Sequence, residues 1–130
     1  MNEKKVLLVD EEKIVLDTYS FLLSKEEYKI VTADSGKKAL RELCQQTFDL
    51  VITDLAIRNE NGCTVLEEVK TMFPTIPVIV LTDNLSEIVI RFASLLGACT
   101  LIEKPFSYEI LISSIRSSLT RSKDGMSKSV

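Results

Sequence analysis

The chain has no histidine among its 130 residues, which excludes Ser-His-Asp triads, Cys-His pairs and histidine-based metal sites. It has only three cysteines, at positions 44, 63 and 99, far apart and without any C-x-x-C spacing. Neither a disulfide framework nor a structural zinc site is expected from such a pattern. We interpret all three as small core residues of a protein in a reducing cytoplasm.

Long apolar runs are also missing. The longest uncharged stretches, 71–82 and 92–102, are too short to cross a membrane, and the first contains two prolines. The first five residues, MNEKK, show no apolar core of a secretory signal. With 45% hydrophobic and 27% charged residues, the chain has the composition and the size of one soluble domain.

Acidic residues outnumber basic ones outside the C-terminal end. The net charge is −3, but residues 116–130 carry +3, which leaves −6 on the rest of the chain. An acidic body does not suit nucleic-acid binding, which needs clustered cations against phosphates. We predict a domain over residues 1–120 and a disordered, serine-rich tail over 121–130, either a natural terminus or the start of a linker.

Two kinds of segment alternate along the chain. Short β-branched apolar runs predict buried strands at 6–9, 29–33, 50–53, 78–81 and 100–102. Between and after them, apolar residues recur at helical spacing. Helix starts are expected at Ser35-Gly36, Asn61-Gly62 and Ser107, and a helix end at Gly97. Five β-α units of this kind predict an α/β protein with a parallel sheet covered on both faces.

Residues useful for handling metal and phosphate follow four of the five predicted strands. They are Asp10 and Glu11, Asp54, Thr82, and Lys104 with Pro105. Each has a simple structural explanation, such as a helix cap, a solvated carboxylate or a surface lysine. In a parallel α/β sheet, however, the carboxyl ends of the strands share one edge, where ligands bind. Their convergence there favours a functional site.

The chemistry of this residue set indicates phosphoryl transfer. Oxygen ligands without histidine or cysteine favour Mg²⁺, which takes one or two carboxylates and keeps several waters. A carboxylate beside the ion can attack a phosphoryl group and form an aspartyl phosphate. An ammonium group and a threonine hydroxyl would stabilise the transferring oxygens. Asp54 is the candidate nucleophile.

Five motifs, in this order and spacing, resemble the receiver domain of bacterial two-component response regulators, the CheY-like superfamily, over about residues 4–120. They are VLLVDEE from Val6, DLVITDL from Asp49, VIVLT from Val78, Gly97-Ala98 and EKPF from Glu103. The resemblance implies a flavodoxin-like, doubly wound (βα)5 three-layer sandwich with strand order 2-1-3-4-5. It also implies a phosphoacceptor domain that is not an enzyme beyond its own phosphotransfer and autodephosphorylation.

By this resemblance, Asp54 accepts a phosphoryl group from a histidine kinase or a phosphotransfer protein. Mg²⁺ would be held by Asp10, Glu11, Asp54 and the backbone carbonyl of Ala56. Thr82 and Lys104 would contact the phosphoryl group, and the Lys104–Pro105 peptide bond would be cis. The change would reach an output domain or partner through the fourth helix, the fifth strand and the fifth helix, where a homodimer is also possible.

The sequence departs from the family pattern in three places. Ile57-Arg58 stands where a Met-Pro pair is usual, which we expect to loosen the loop after Asp54. Leu101 replaces the aromatic residue whose ring usually reports the switch. Ala56 and Asn84 are small and uncharged at positions that tune the lifetime of the phosphoryl group in the family.

Other classes of function fit less well. A haloacid-dehalogenase-type phosphatase would need a second aspartate at position 56, which is alanine here. A nucleotide-binding module would need a glycine-rich loop after the first strand, which the sequence lacks. A degenerate receiver that acts only as a phosphorylation-independent interaction module remains the alternative to the switch.

Overall fold

The structure, a computed structural model, describes residues 3–124, and their side chains as far as residue 120. Strands and helices alternate throughout this part of the chain. In order they are β1 (Lys4–Val9), α1 (Lys13–Ser24), β2 (Tyr28–Ala33), α2 (Gly36–Gln45), β3 (Leu50–Asp54), α3 (Val65–Met72), β4 (Val78–Thr82), α4 (Glu87–Leu95), β5 (Thr100–Glu103) and α5 (Tyr108–Asp124).

The strands form one parallel sheet in the order β2-β1-β3-β4-β5. This confirms the predicted flavodoxin-like fold. The three central strands are the most apolar, since β1 ends in four buried residues, β3 begins with four, and β4 is buried throughout. A parallel strand with helices on both sides has no solvent face, which explains these continuous apolar runs.

Each face of the sheet has its own core. Leu7 and Val9 of β1 pack with residues of α2, α3 and α4 on one face. Val6 and Leu8 pack with residues of α1 and α5 on the other. Successive side chains of a strand point to opposite faces, so the four consecutive apolar residues of β1 supply both cores.

Most predicted helix boundaries are correct, and one is wrong. Ser35 caps α2 by accepting the Lys38 N–H at 3.1 Å, and Gly97 follows α4 with a φ of 96°. Helix α3 does not begin at Asn61-Gly62 but after Thr64, whose hydroxyl accepts the Glu67 N–H at 3.1 Å. Gly62, with a φ of 83°, lies in the turn before this cap, so the signal marked a turn in the loop.

Two other expectations need correction. Cys44 is exposed, while Cys63 and Cys99 are half-buried, so the interpretation of all three as core residues is wrong. Helix α5 also includes residues 121–124, so the predicted boundary at 120 falls inside a helix. The remainder of the predicted tail, 125–130, lies outside the described residues. Among the helices that are described, none is long and apolar enough to span a membrane.

Candidate functional site

The predicted site residues gather at the carboxyl edge of the sheet. Asp10 follows β1, Asp54 is the last residue of β3, Thr82 is the last of β4, and Lys104 follows β5. Because the strands are parallel, these positions share one edge, as the sequence predicted. The central pair, β1 and β3, are direct neighbours, which places Asp10 beside Asp54.

Lys104 joins the two aspartates. Its ammonium nitrogen donates to Asp10 Oδ2 at 2.8 Å and to Asp54 Oδ2 at 2.7 Å. The side chain of Asp10 is only 2% exposed, and those of Asp54 and Lys104 are each 19% exposed. A third acid, Glu12, lies at 4.0 Å from the same nitrogen and is itself exposed. The shielded group is therefore two carboxylates sharing one cation.

Backbone N–H groups fix the other oxygen of each carboxylate. Asp10 Oδ1 accepts the N–H of Glu12 at 2.9 Å, and Asp54 Oδ1 accepts the N–H of Ala56 at 2.8 Å. Both contacts are turns in which a side chain bonds two residues ahead. They hold each carboxylate in one orientation, with its Oδ2 directed at Lys104.

The electrostatics follow from this geometry. Burial alone would lower the pKa of Lys104, because it removes water from the ammonium group. Hydrogen bonds to Asp10 and Asp54, together with their negative charge, outweigh burial and raise the pKa of Lys104 to about 12. The lysine is thus cationic at every physiological pH and is available to neutralise further negative charge.

Glu11 does not join this group. It is exposed and lines a depression on the other side of β1 with Thr32, Asp34 and Lys38. Within residues 3–124, no three histidine, cysteine or acidic side chains come together at metal-binding spacing. Strand β1 ends at Val9 and the chain bends at Glu11, so Asp10 and Glu11 do not face the same way. The structure therefore brings together two of the three carboxylates predicted for Mg²⁺.

Thr82 is at the expected edge, but its hydroxyl bonds within its own loop. It accepts the N–H of Asn84 at 3.1 Å and donates to the carbonyl of Asn84 at 3.3 Å. Thr82 is 6% exposed, whereas Asn84 is exposed. The predicted contact of Thr82 with a phosphoryl group would require its hydroxyl to leave Asn84.

The loop after Asp54 is tightly held, contrary to the expectation that Ile57-Arg58 would loosen it. Ile57 is only 4% exposed and belongs to the core between the sheet and α2, α3 and α4. Arg58 forms an isolated bridge with Thr64 and donates to the carbonyl of Gly62 at 2.8 Å. Asn59 Oδ1 accepts two backbone N–H groups further along the loop. A buried isoleucine and these loop bonds replace the rigidity that a proline would give.

The remaining predicted readout residues lie in β5 and directly after it. Leu101 is half-buried and packs against the same core as Ile57. It also lines a crevice of about 270 Å³ between α4 and β5, together with Leu85 and Ile90. The Lys104–Pro105 peptide bond is cis. Sequence reasoning did not identify Asn59, although the polar NENG turn at 59–62 was a visible signal for a structured loop.

Comparison with known proteins agrees with this fold. The family model "Response regulator receiver domain" matches residues 6–116. The response regulator SaeR of Staphylococcus aureus is 34% identical over 118 residues, which are 91% of this chain and 51% of that protein. A receiver domain from Clostridium thermocellum is 30% identical, with a TM-score of 0.83 and coverage of 92% of this chain and 97% of the other.

A CheY-like receiver domain from Methanospirillum hungatei shares the fold, with a TM-score of 0.87 at 23% identity and coverage of 95% and 99% of the two chains. The chain belongs to the response regulator receiver domain family. Such domains are part of two-component systems and are generally not enzymes, and the family implies a kinase partner and an output domain. The chain spans about half the length of the curated relatives it matches.

Proposed function

We propose that this domain is a phosphorylation-controlled signalling switch in which Asp54 accepts a phosphoryl group from the phosphohistidine of a kinase or phosphotransfer protein. One observation carries the proposal. The Lys104 ammonium bonds Asp10 and Asp54 together at the carboxyl edge of the sheet. A cation already held 2.7 Å from the acceptor oxygen is placed to neutralise charge that arrives there.

The transfer step needs one bond to form and one to break. An oxygen of Asp54 forms a bond to phosphorus while the bond between phosphorus and the imidazole nitrogen breaks. The electron pair stays on that nitrogen, which takes up a proton. Lys104 then donates to a phosphoryl oxygen, and Asp10 keeps the lysine oriented through its own hydrogen bond. These 130 residues contain no histidine, so the donor imidazole lies outside them.

The donor set at this edge fits Mg²⁺. Two carboxylates, Asp10 and Asp54, converge on the ammonium group of Lys104. No histidine or cysteine competes for the site. Mg²⁺ is commonly held by one or two carboxylates with water completing its shell. Glu11 and the carbonyl of Ala56 are the further ligands we propose. When bound, the ion supplies positive charge to the transferring phosphoryl oxygens.

The signal would leave the site through α4, β5 and α5. Phosphorylation at Asp54 offers the Thr82 hydroxyl a charged acceptor in place of its two bonds to Asn84. The loop between β4 and α4 would then move inward and shift a pre-existing equilibrium. Helix α4 exposes Ile88 and Leu95 at 80% and 87%, so this face can meet an output domain, a partner or a second copy. We propose a cytoplasmic location for this exchange.

The acceptor can be tested by direct labelling. The protein is incubated with Mg²⁺ and a small acyl-phosphate donor, and the added phosphoryl groups are counted by mass spectrometry. We expect one group on the wild type, none on Asp54→Asn, and none when a chelator removes the metal. Asp83→Asn is the matched control, because Asp83 is an exposed acid that lines the depression beside Lys104.

Labelling of the Asp54→Asn variant would contradict the assignment of the acceptor. Phosphoryl groups found equally on Asp54 and Asp83 of the wild type would contradict it as well. A wild type that stays unlabelled under conditions that label another receiver domain would favour the interaction module that works without phosphorylation. In that case, Lys104 and the two aspartates would serve only to stabilise the fold.

A further inference from the structure

The first turn of α2 meets the loop after Asp54 in an unusually close backbone contact. A Cβ atom built on Gly36 would lie 2.8 Å from the carbonyl oxygen of Arg58, 2.9 Å from its carbonyl carbon and 3.0 Å from the nitrogen of Asn59. Gly36 is buried, and none of these neighbouring atoms belongs to a flexible side chain. Real side chains do not occupy such a position without displacing the backbone.

Neither side of this contact can yield easily. Helix α2 is anchored by its Ser35 cap and by the buried Leu43. On the other side, Ile57 is locked into the core, and Asn59 accepts the N–H groups of Asn61 and Cys63 at 2.8 and 3.0 Å. The loop after Asp54 is therefore held as one unit, and it packs directly against the backbone of Gly36.

The same unit reaches the phosphoacceptor directly. The N–H of Ile57 donates to the carbonyl of Asp54 at 3.3 Å, and the N–H of Ala56 donates to the Asp54 carboxylate at 2.8 Å. A shift at Arg58 is thus two residues from the N–H that orients Asp54. Ile57 lies between Arg58 and Ala56 and is itself packed in the core, so a displacement at Arg58 must be taken up by the backbone of residues 56–58, next to the N–H that orients Asp54.

We propose that Gly36 is a positioning residue for the phosphorylation site. Because Gly36 has no side chain, the loop after Asp54 packs directly against α2. This packing sets the placement of the Ala56 backbone and the Asp54 carboxylate. The inference rests on the proposed function of Asp54. Gly36 touches neither the phosphoryl group nor the metal, so its effect passes through the loop.

Gly36→Ala tests the proposal because we expect it to impair the site, whereas helix propensity alone predicts a more stable helix. Alanine is a better helix former than glycine, so a change without steric effect would stabilise α2. We expect the rate of Asp54 phosphorylation to fall about tenfold, since a misplacement near 1 Å can cost up to about 100-fold. The Mg²⁺ concentration for half-maximal labelling should rise as well, because the loop carries the Ala56 carbonyl.

Two controls separate positioning from stability. Ala39→Gly weakens the same helix without adding an atom near the loop, and we expect its labelling rate to stay within about twofold of the wild type while it remains folded. Lys37→Ala removes the exposed contact of Lys37 with Glu60, 3.5 Å apart, and should be equally silent. An equal rate loss in Gly36→Ala and Ala39→Gly would overturn the proposal.

A second variant covers the case in which Gly36→Ala does not fold. Asn59→Ala removes the side chain that braces the loop, and we expect it to slow phosphorylation in the Gly36 background. If both variants fold, the two losses should be less than additive, because a slack loop can yield to the added methyl group. A normal rate in folded Asn59→Ala would show that loop placement does not matter, which overturns the proposal.

The failure of this inference can be told apart from failure of the proposed function. Amide hydrogen exchange of Ala56 is measured without any phosphate donor, because its N–H is bonded to Asp54 Oδ1. We expect faster exchange at Ala56 in Gly36→Ala than in Ala39→Gly. An unlabelled wild type would refute the phosphoacceptor assignment alone, whereas unchanged exchange at Ala56 would refute the role of Gly36.

Discussion

Lys104→Met removes the ammonium group between Asp10 and Asp54 while keeping most of the volume of the side chain. Removing one partner of a fully buried ion pair costs about 3–5 kcal/mol, because the remaining charge is left unpaired. Asp10 is 2% exposed, but Asp54 is 19% exposed, so water relieves part of this cost. We therefore expect a loss of about 2–3 kcal/mol in the free energy of unfolding at neutral pH.

The assay is urea denaturation followed by circular dichroism, with a chelator present. For a domain of this size, the loss corresponds to a melting temperature about 8 °C lower. Added Mg²⁺ should restore more stability to Lys104→Met than to the wild type, because the ion supplies the missing positive charge.

The matched control is Lys38→Met, which breaks a 3.0 Å ion pair with Asp34. Both side chains of that pair are more than half exposed, at 57% and 51%, so we expect a change below about 0.5 kcal/mol. If Lys104→Met and Lys38→Met cost the same, the reasoning from burial is refuted. A deficit that added Mg²⁺ does not reduce would refute the reasoning from charge.

Three further predictions concern pH, the loop and α3. The pKa of Lys104 is raised, so the stability from its ion pairs is fully present below pH 10.5 and is lost as the pH rises through about 12. The difference in the free energy of unfolding between the wild type and Lys104→Met should close over that window. A constant difference would count against this prediction. Ile57→Ala should lower the free energy of unfolding by about 3 kcal/mol and Ile88→Ala, at 80% exposure, by less than about 0.5 kcal/mol in the same denaturation assay; similar losses would contradict the burial of Ile57. Thr64→Ala should cost about 1 kcal/mol by loss of the α3 cap, whereas Thr64→Ser, which keeps the hydroxyl, should cost clearly less; the opposite order would contradict the cap.

The order of strands and helices could be predicted because each unit has a short apolar run followed by apolar residues at helical spacing. Strand β4 is buried at every position, and such a run has few alternatives to a central parallel strand. The start of α3 was less predictable because two capping signals lie close together. Asn61-Gly62 and Thr64 both suit a helix start, and only the tertiary contacts of the loop decide for Thr64.

The site residues could be predicted by position, but not their pairing. The strand ends place Asp10, Asp54 and Lys104 at one edge from sequence alone. That one ammonium bonds both acids depends on the directions of the side chains, which no periodicity encodes. Glu11 shows the same limit, because its neighbour Asp10 turns inward while Glu11 turns to the solvent. The close contact at Gly36 is between backbone atoms, and a sequence shows such a contact only as a glycine.

The acids of the site and its cation sit on parts of the fold that differ in how readily they open. Asp10 follows β1 and Asp54 is the last residue of β3, and both strands are interior, with a neighbouring strand on each side. Lys104 follows β5, a strand of four residues at the edge of the sheet that pairs only with β4. Edge elements open locally at a lower free energy than the centre of a sheet. Fraying of β5 would therefore move the ammonium group of Lys104 away from Asp10 and Asp54, which stay in place. The charge balance of the site thus depends on how stably this short strand stays paired with β4.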